Sequence, residues 1–385
     1  MKKIAVVTAT RAEYGLLSPV IKELRDKESD EFKLCLIVTG THLSEQYGMT
    51  VDEIDDRIDH RIEIPVNSDS ERDISVNQAI TLVKFTEIFL SEKFEAIIIL
   101  GDRYESLAIA IAAGNTRTPI FHMCGGDTTE GAIDEWIRHS ITKMSYLHFV
   151  TNEISRNRVI QLGEDPSRVF NYGSTSIDNV LAIADMEREE ALMSIGLSDC
   201  KYALCTYHPV TLDSGSVDQK VSDFISSIEA FPDIQFIVTK SNADQGGSRI
   251  NELLEEAKKE VPNLHVFTSL GTKRYLSLMK HAEFVLGNSS SGIIETPAFR
   301  IPTVNIGDRQ RGRLHAKNVI DCDDRSESII SAINVALSDE YIKICSTVVS
   351  PYGSGDAGKK IASKAYEIVM SGNIELKKKF YDLKG

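Results

Sequence analysis

The stretch AIIILGDRYE, residues 96–105, sets an unbroken apolar run, Ala96 to Leu100, directly against a polar turn of Gly101, Asp102 and Arg103. A short apolar run closed by glycine, with no polar alternation, is the pattern of a strand buried on both faces, as in a parallel sheet. Working outward, the same pattern recurs at Ile4 to Thr8, Cys35 to Thr39, Pro119 to Met123, Leu147 to Thr151 and Val169 to Tyr172. Stretches of helical period fill the gaps, so the first half reads as repeated βα units. The pattern restarts at Tyr202 to Thr206, Ile234 to Thr239, His265 to Phe267, Phe284 to Gly287 and Thr303 to Ile306. The expected fold class is therefore α/β, with two Rossmann-like doubly wound domains. A chain of 385 residues exceeds what one hydrophobic core normally serves. The boundary falls between Gly173 and Lys201, around the polar stretch Ala184 to Glu190.

Composition narrows the function. Lys and Arg number 43 against 57 Asp and Glu, a net charge of -14, which opposes binding to nucleic acid or anionic membranes; neither is expected as a partner. The N-terminal apolar run is too short for a signal peptide, and no stretch reaches the roughly 20 apolar residues of a membrane span, so a cytoplasmic location is expected. The six cysteines have no CxxC spacing and the nine histidines no HExxH pattern. We expect neither a metal centre nor a cofactor.

In open parallel sheets ligands bind outside the carboxyl ends of the strands. The segments at those ends are Thr8 to Gly15, Gly101 to Glu105, His122 to Asp127, Tyr207 to Leu212 and Gly287 to Gly292, and they carry most of the polar chemistry. In FVLGNSSSGIIE, 284–295, a strand pattern passes into Asn288, Ser289, Ser290, Ser291 and Gly292, whose hydroxyls and free N–H groups suit a diphosphate. A simple helix cap would need only one serine. Glu295, one turn on, suits a ribose hydroxyl or the helix dipole. Arg11 in the first loop and Arg309, Arg311 and Arg313 after the last core strand supply guanidinium groups, which match phosphate. Asp102 with Arg103, then Asp127, Glu130, Asp134 and Glu135 with Arg138 and His139, crowd the ends of adjacent strands; at helical spacing, a surface ion pair of Asp134 with Arg138 is the structural alternative. His208, before Pro209, and likewise His42 and His122, lie where an imidazole can serve as acid, base or phosphate donor.

Taken together, the segments around Arg11, Asp102, Asp127 to Lys143, His208, Asn288 to Glu295 and Asn305 to Arg313 resemble the hydrolysing UDP-N-acetylglucosamine 2-epimerases of sialic acid biosynthesis, over nearly the whole chain. Gly101 to Glu105 favours the hydrolysing branch over the non-hydrolysing one. The resemblance implies a glycosyltransferase-B-like fold: a domain over 1–175, a nucleotide-binding domain over 176–365, and a C-terminal helix over 366–385 packing back on the first, the two domains facing one cleft. It implies a UDP-sugar substrate and a homo-oligomer, dimer or tetramer. It places Asp102, Asp134 and His208 in the catalytic region and Arg11, Ser289, Ser290, Glu295 and Arg309 at the nucleotide, with Arg103, Arg138 and His122 lining the same site. Cys124 stands where some members carry glutamate, and Asp127 is the candidate substitute.

The implied reaction yields free N-acetylmannosamine and UDP. The C2 hydrogen of a sugar has no adjacent carbonyl, so loss of UDP must help to acidify it. Anti elimination to a glycal, followed by addition of water at C1 and proton return to C2 from the other face, satisfies this. The route needs acid/base groups on both sugar faces and donors for the departing diphosphate. A UDP- or GDP-linked 2,4-diacetamido-trideoxy sugar is an alternative substrate, and a glycosyltransferase or a non-catalytic nucleotide-sugar binder the alternatives in class.

Overall fold

The computed structural model describes residues 1–45, 49–65, 71–128, 134–208, 216–240, 247–311 and 313–383. The chain forms two compact units, one of Met1–Asn179 with Gly355–Gly385, the other of Val180–Ser354.

In the first unit, β1 (Lys2–Thr8), β2 (Phe32–Thr39), β3 (His60–Ile62), β4 (Ala96–Leu100), β5 (Ile120–Met123), β6 (Leu147–Val150) and β7 (Val169–Asn171) form one parallel sheet in the order β3-β2-β1-β4-β5-β6-β7. Every residue of β4, β5 and β6 is buried, because helices cover both faces. α1 (Arg11–Arg25) packs on one face, together with the helix Ala357–Ser371. α2 (Glu71–Ser91), α3 (Tyr104–Thr116) and α4 (Asp134–Met144) take the other, over Ala5, Val7, Ile97, Ile99 and Ile120. α1 starts where Thr10 accepts a bond from the Glu13 N–H at 3.2 Å while the Glu13 carboxylate accepts the Ala9 N–H at 2.7 Å, a reciprocal capping arrangement.

The C-terminal expectation needs correction. The returning helix covers Ala357–Ser371, not 366–385. Its first amides, Ala357 and Gly358, donate to Asp178 at 3.2 and 2.8 Å, which starts it early, and Gly372, at φ 71, ends it. The described tail beyond is not helical; Lys378 reaches the buried Glu164 at 2.6 Å.

In the second unit β8 (Tyr202–Thr206), β9 (Gln235–Thr239), β10 (Leu264–Phe267), β11 (Phe284–Gly287), β12 (Thr303–Ile306) and β13 (Val319–Cys322) form a parallel sheet in the order β10-β9-β8-β11-β12-β13. Each sheet has one place where strand order reverses: between β1 and β4 in the first, between β8 and β11 in the second. Loops diverge there and leave a crevice, the place where doubly wound sheets bind ligands.

Candidate active site

In the first unit, Asp102 leaves β4 at the point of reversal, and its carboxylate is held by Arg138 from α4. The Arg138 Nε donates to Asp102 Oδ2 at 2.9 Å and Nη2 makes a short second bond to the same oxygen. Nη1 donates to the Asp127 carbonyl at 2.8 Å and to Glu135 Oε2 at 3.1 Å. The guanidinium is almost fully buried, so it acts as a hub joining the ends of β4 and β5 to α4. Asp134 and Arg138 do not form the surface pair that their spacing allows; Glu135 takes that local role, toward Arg138 and, at 3.1 Å, toward His139. Asp134 opens α4, and among the described residues no hydrogen bond or ion pair to its carboxylate is found. Glu130 lies outside the described residues.

The Asp127 carboxylate is fixed by hydroxyls, with Thr151 at 3.1 Å and a short bond from Ser155. Cys124, at φ 63, lies beside this group; desolvation, with Asp127 and Asp102 nearby, pushes its thiol up to about 12. A raised pKa keeps the thiol protonated at neutral pH, which disfavours a nucleophilic role.

Arg103 forms a forked pair with Glu105, Nε to Oε2 at 3.1 Å and Nη2 to Oε1 at 3.0 Å. Glu105 is wholly buried, so it fixes Arg103 firmly, while the guanidinium stays more than a third exposed and open to a ligand. Glu13 lies in the same neighbourhood: burial pushes its carboxyl up to about 7 against the Ala9 amide bond and the attraction of Arg103. Arg11, by contrast, points to solvent and pairs with Glu53 at 2.8 Å.

His42 and His122 are interior groups of this unit. His42 is buried between the Thr8 hydroxyl at 3.1 Å and the Thr50 hydroxyl at 2.9 Å, and burial lowers its pKa. His122 bonds the Gly101 carbonyl through Nε2 at 2.8 Å and the Thr142 hydroxyl through Nδ1 at 3.3 Å; burial depresses its pKa to about 3. A neutral ring protonated on Nε2 donates to Gly101, so His122 holds the turn that presents Asp102.

In the second unit, the reversal between β8 and β11 joins His208 to Asn288. The His208 N–H donates to Asn288 Oδ1 at 2.7 Å and Asn288 Nδ2 donates to the His208 carbonyl at 2.8 Å, so one buried amide side chain fixes the histidine's backbone from both sides. Gly287 permits this approach: at φ 137 a Cβ would sit 2.0 Å from the Thr206 carbonyl oxygen. Pro209 to Leu212 and Gly312 lie outside the described residues.

The serine loop differs in detail from the expected continuous helix. A single turn, Ser291–Ile294, is followed after Glu295 by Thr296–Phe299. Ser290 makes no side-chain cap, and the Ser289 hydroxyl accepts the Ser291 N–H at 3.3 Å. The Ser291 hydroxyl makes a short bond to Glu295, whose carboxyl burial pushes above the usual range. Gly292 serves packing: a Cβ there would press on Thr303 at 3.1 Å. Arg309 donates to the Asn288 carbonyl at 3.1 Å, as does Gln310 at 2.8 Å, which ties the arginine loop to the serine loop; Arg311 and Arg313 are exposed.

The structure thus brings Asp102, Asp127 and Arg138 into one cluster, and His208, Asn288 and Arg309 into another. Sequence reasoning did not assign roles to Glu13, Glu105 or Gln310, although all three lie within the motifs that drew attention; Thr151 and Ser155 carried no signal. Away from both clusters, Cys35, His60 and Glu92 place ligand atoms within 4.8 Å of one another, but Glu92 is engaged by Lys3 at 2.8 Å and His60 at 2.7 Å, an ion-pair network.

Residues 22–365 match the sequence profile of the family described as UDP-N-acetylglucosamine 2-epimerase. The chain is 41% identical over 327 residues to the GDP/UDP-N,N'-diacetylbacillosamine 2-epimerase (hydrolyzing) of Campylobacter jejuni, covering 83% of this chain and 84% of that one. It is 36% identical over 387 residues to the polysialic acid biosynthesis protein P7 of Escherichia coli, covering 100% and 98%. The structure of the Neisseria meningitidis UDP-GlcNAc 2-epimerase bound to UDP-GlcNAc is similar in fold, with a TM-score of 0.78 at 19% identity over 95% of this chain and 100% of that one.

Proposed function

The chain belongs to the UDP-N-acetylglucosamine 2-epimerase family, and on that premise we propose that it is a hydrolysing 2-epimerase, converting UDP-N-acetylglucosamine and water to N-acetylmannosamine and UDP. The observation that carries this reading is the cluster of Asp102, Asp127 and Arg138 at the strand reversal, with Asp134 opening the helix that supplies the arginine. A carboxylate held on a rigid buried cation, with a second aspartate tied to the same cation through its backbone carbonyl, suits a reaction that removes a proton from one sugar face and returns one to the other.

In the proposed cycle a carboxylate takes the C2 proton as the C1–oxygen bond to UDP breaks, and the electron pair of the C–H bond becomes the C1–C2 double bond. Water then adds at C1 and a second group delivers a proton to C2 from the opposite face. Asp102, Asp127 and Asp134 share these transfers and the activation of water. Arg138 keeps Asp102 and the Asp127 backbone in register, and His122 holds the Gly101 turn from behind. In the second unit, Ser289, Ser290, Ser291, Arg309 and Arg313 receive the departing diphosphate, His208 stabilises its charge, and Glu295 takes the ribose. Phosphate groups developing negative charge gain most from donors already fixed in place, which favours Arg309.

The hydrolysing outcome is supported by the Gly101 to Glu105 stretch and by the "hydrolyzing" designation of the Campylobacter relative. That relative's name also favours a second reading: the same reaction on a UDP- or GDP-linked 2,4-diacetamido-trideoxy sugar. The Escherichia relative's name supports instead a place in sialic acid synthesis. Comparing kcat/KM for UDP release from the N-acetylglucosamine and diacetamido sugar nucleotides decides between them. A higher value for the first supports the main reading, a higher value for the second replaces it, and transfer to an added sugar acceptor would move the protein to another class.

A further inference from the structure

α4 ends at Met144, and the last carbonyls of a helix have no partner within it. The basic residue of its last turn, Lys143, turns away to the Leu162 carbonyl at 2.9 Å and to Glu164 Oε1 at 2.6 Å. The cap comes instead from the C-terminal tail, 235 residues on: Lys378 Nζ donates to the Lys143 carbonyl at 3.0 Å and to the Ser145 carbonyl at 2.7 Å. A cation at this end also complements the negative pole of the helix. The same ammonium reaches Glu164 Oε2 at 2.6 Å, an oxygen that Nε2 of His148 on β6 bonds at 3.0 Å. Glu164 is 1% exposed, so a carboxylate too costly to bury alone joins α4, β6 and the tail. Beyond Lys378 the tail is tied down again. The Tyr381 N–H donates to the Gly163 carbonyl at 3.0 Å, and the Phe380 ring covers Gly163, where a Cβ would lie 2.4 Å from it.

We propose that Lys378 is a positioning residue for the reaction: by capping α4 it fixes where that helix lies along its axis, and so where Asp134 and Arg138 stand relative to Asp102. The catalytic part of this rests on the reading that Asp102 and Asp134 carry the chemistry. Arg138 is six residues, about 9 Å of helix, from Met144, a length over which a helix moves as one body. A slide at the capped end is therefore passed on to Asp134 and to the bonds between Arg138 and Asp102. Misplacing a reacting group by about 1 Å can cost about a hundredfold in rate. α4 is thus held at both ends, by Asp102 through Arg138 and by Glu164 through Lys143 and Lys378. A tail that only covered apolar surface would have no use for a lysine spent on two main-chain carbonyls and a buried carboxylate, nor for a glycine at φ 86 beneath its aromatic ring.

Hydrogen–deuterium exchange read by mass spectrometry, together with steady-state UDP release, tests this on the full chain as wild type, Lys378→Met and Lys378→Arg. Methionine keeps an unbranched stem and loses the charge and every donor, whereas arginine keeps both. In Lys378→Met the amides of α4 are expected to exchange at least about fivefold faster while those of α2 are unchanged. Its kcat is expected to fall about tenfold with KM within about twofold of wild type, because α4 is displaced and the nucleotide's own contacts are not. Lys378→Arg is expected to recover both readouts. Exchange does not depend on turnover, so the two ideas fail separately: a wild type that releases no UDP would overturn the reading of the reaction, and exchange would still decide whether Lys378 holds α4. Wild-type exchange of α4 in Lys378→Met, exchange raised equally in α2, a wild-type kcat in that variant, or equal effects of methionine and arginine would each overturn the proposal.

Discussion

Replacing Arg138 by alanine removes a nearly buried guanidinium that makes two bonds to Asp102, one to the Asp127 carbonyl and one to Glu135. Taking away one partner of a buried ion pair costs roughly 3 to 5 kcal/mol. The Asp102 side chain is 28% exposed, so water takes up part of its lost pairing and the lower end applies, about 3 kcal/mol. Losing the bond to the Asp127 carbonyl adds about 1 kcal/mol. The total expected for Arg138→Ala is therefore about 4 kcal/mol. Asp102→Ala should cost less, because Arg138 keeps Glu135 and the Asp127 carbonyl. The double variant should recover about 2 kcal/mol relative to the sum of the two single changes. Guanidinium denaturation followed by Trp136 fluorescence reports the unit concerned, and UDP release measured on the same samples should be lost in all three. A cost for Arg138→Ala below about 1 kcal/mol, or single changes that simply add, would refute the picture of Arg138 as the hub of the cluster.

Other outcomes follow from single contacts. Glu13 keeps its proton to about pH 7 in the folded chain, against an ordinary carboxyl value of 4.5, so it contributes stability below pH 4.5 that is lost as pH rises through 7, about 3 kcal/mol in all. Glu13→Gln retains an acceptor for the Ala9 amide and should be more stable than wild type at pH 8 but not at pH 4, read from denaturation midpoints; equal differences at both would contradict the burial argument. Gly287→Ala would set a Cβ on the Thr206 carbonyl and should cost more than about 3 kcal/mol or prevent folding of the second unit, detectable as loss of UDP binding in calorimetry. Asp134→Asn, an isosteric change at a carboxylate without a described partner, should leave the melting temperature within a degree or two of wild type, as surface changes do, while UDP release falls by at least about a hundredfold. Retained turnover would remove Asp134 from the chemistry.

The strands were legible because burial on both faces leaves an apolar run with no polar break, and β4 is the plainest case. β3 and β13 were not: three or four residues at a sheet edge, half polar, as in His60–Arg61–Ile62, look like loop. The start of the last helix was hidden for a related reason, since its cap is Asp178, far away in sequence. Site residues were legible by position, at the ends of strands, but their partners were not. A local reading offered Asp134 and Arg138 as a helical pair, whereas tertiary structure gives Arg138 to Asp102, 36 residues away. The same holds for Asn288, which looked like part of a phosphate loop and spends its side chain on the His208 backbone. His42 stands in a polar context by sequence and His122 near the end of an apolar run, yet both rings are enclosed by the core and bonded to hydroxyls or a carbonyl, something only the packing of neighbouring elements decides.

The most direct test of hydrolysing epimerisation is proton NMR of the full-length protein with UDP-N-acetylglucosamine in D2O. The account predicts free N-acetylmannosamine carrying deuterium at C2, together with UDP. Free sugar that retains its C2 proton, or an intact UDP-linked epimer with no free sugar, would contradict it.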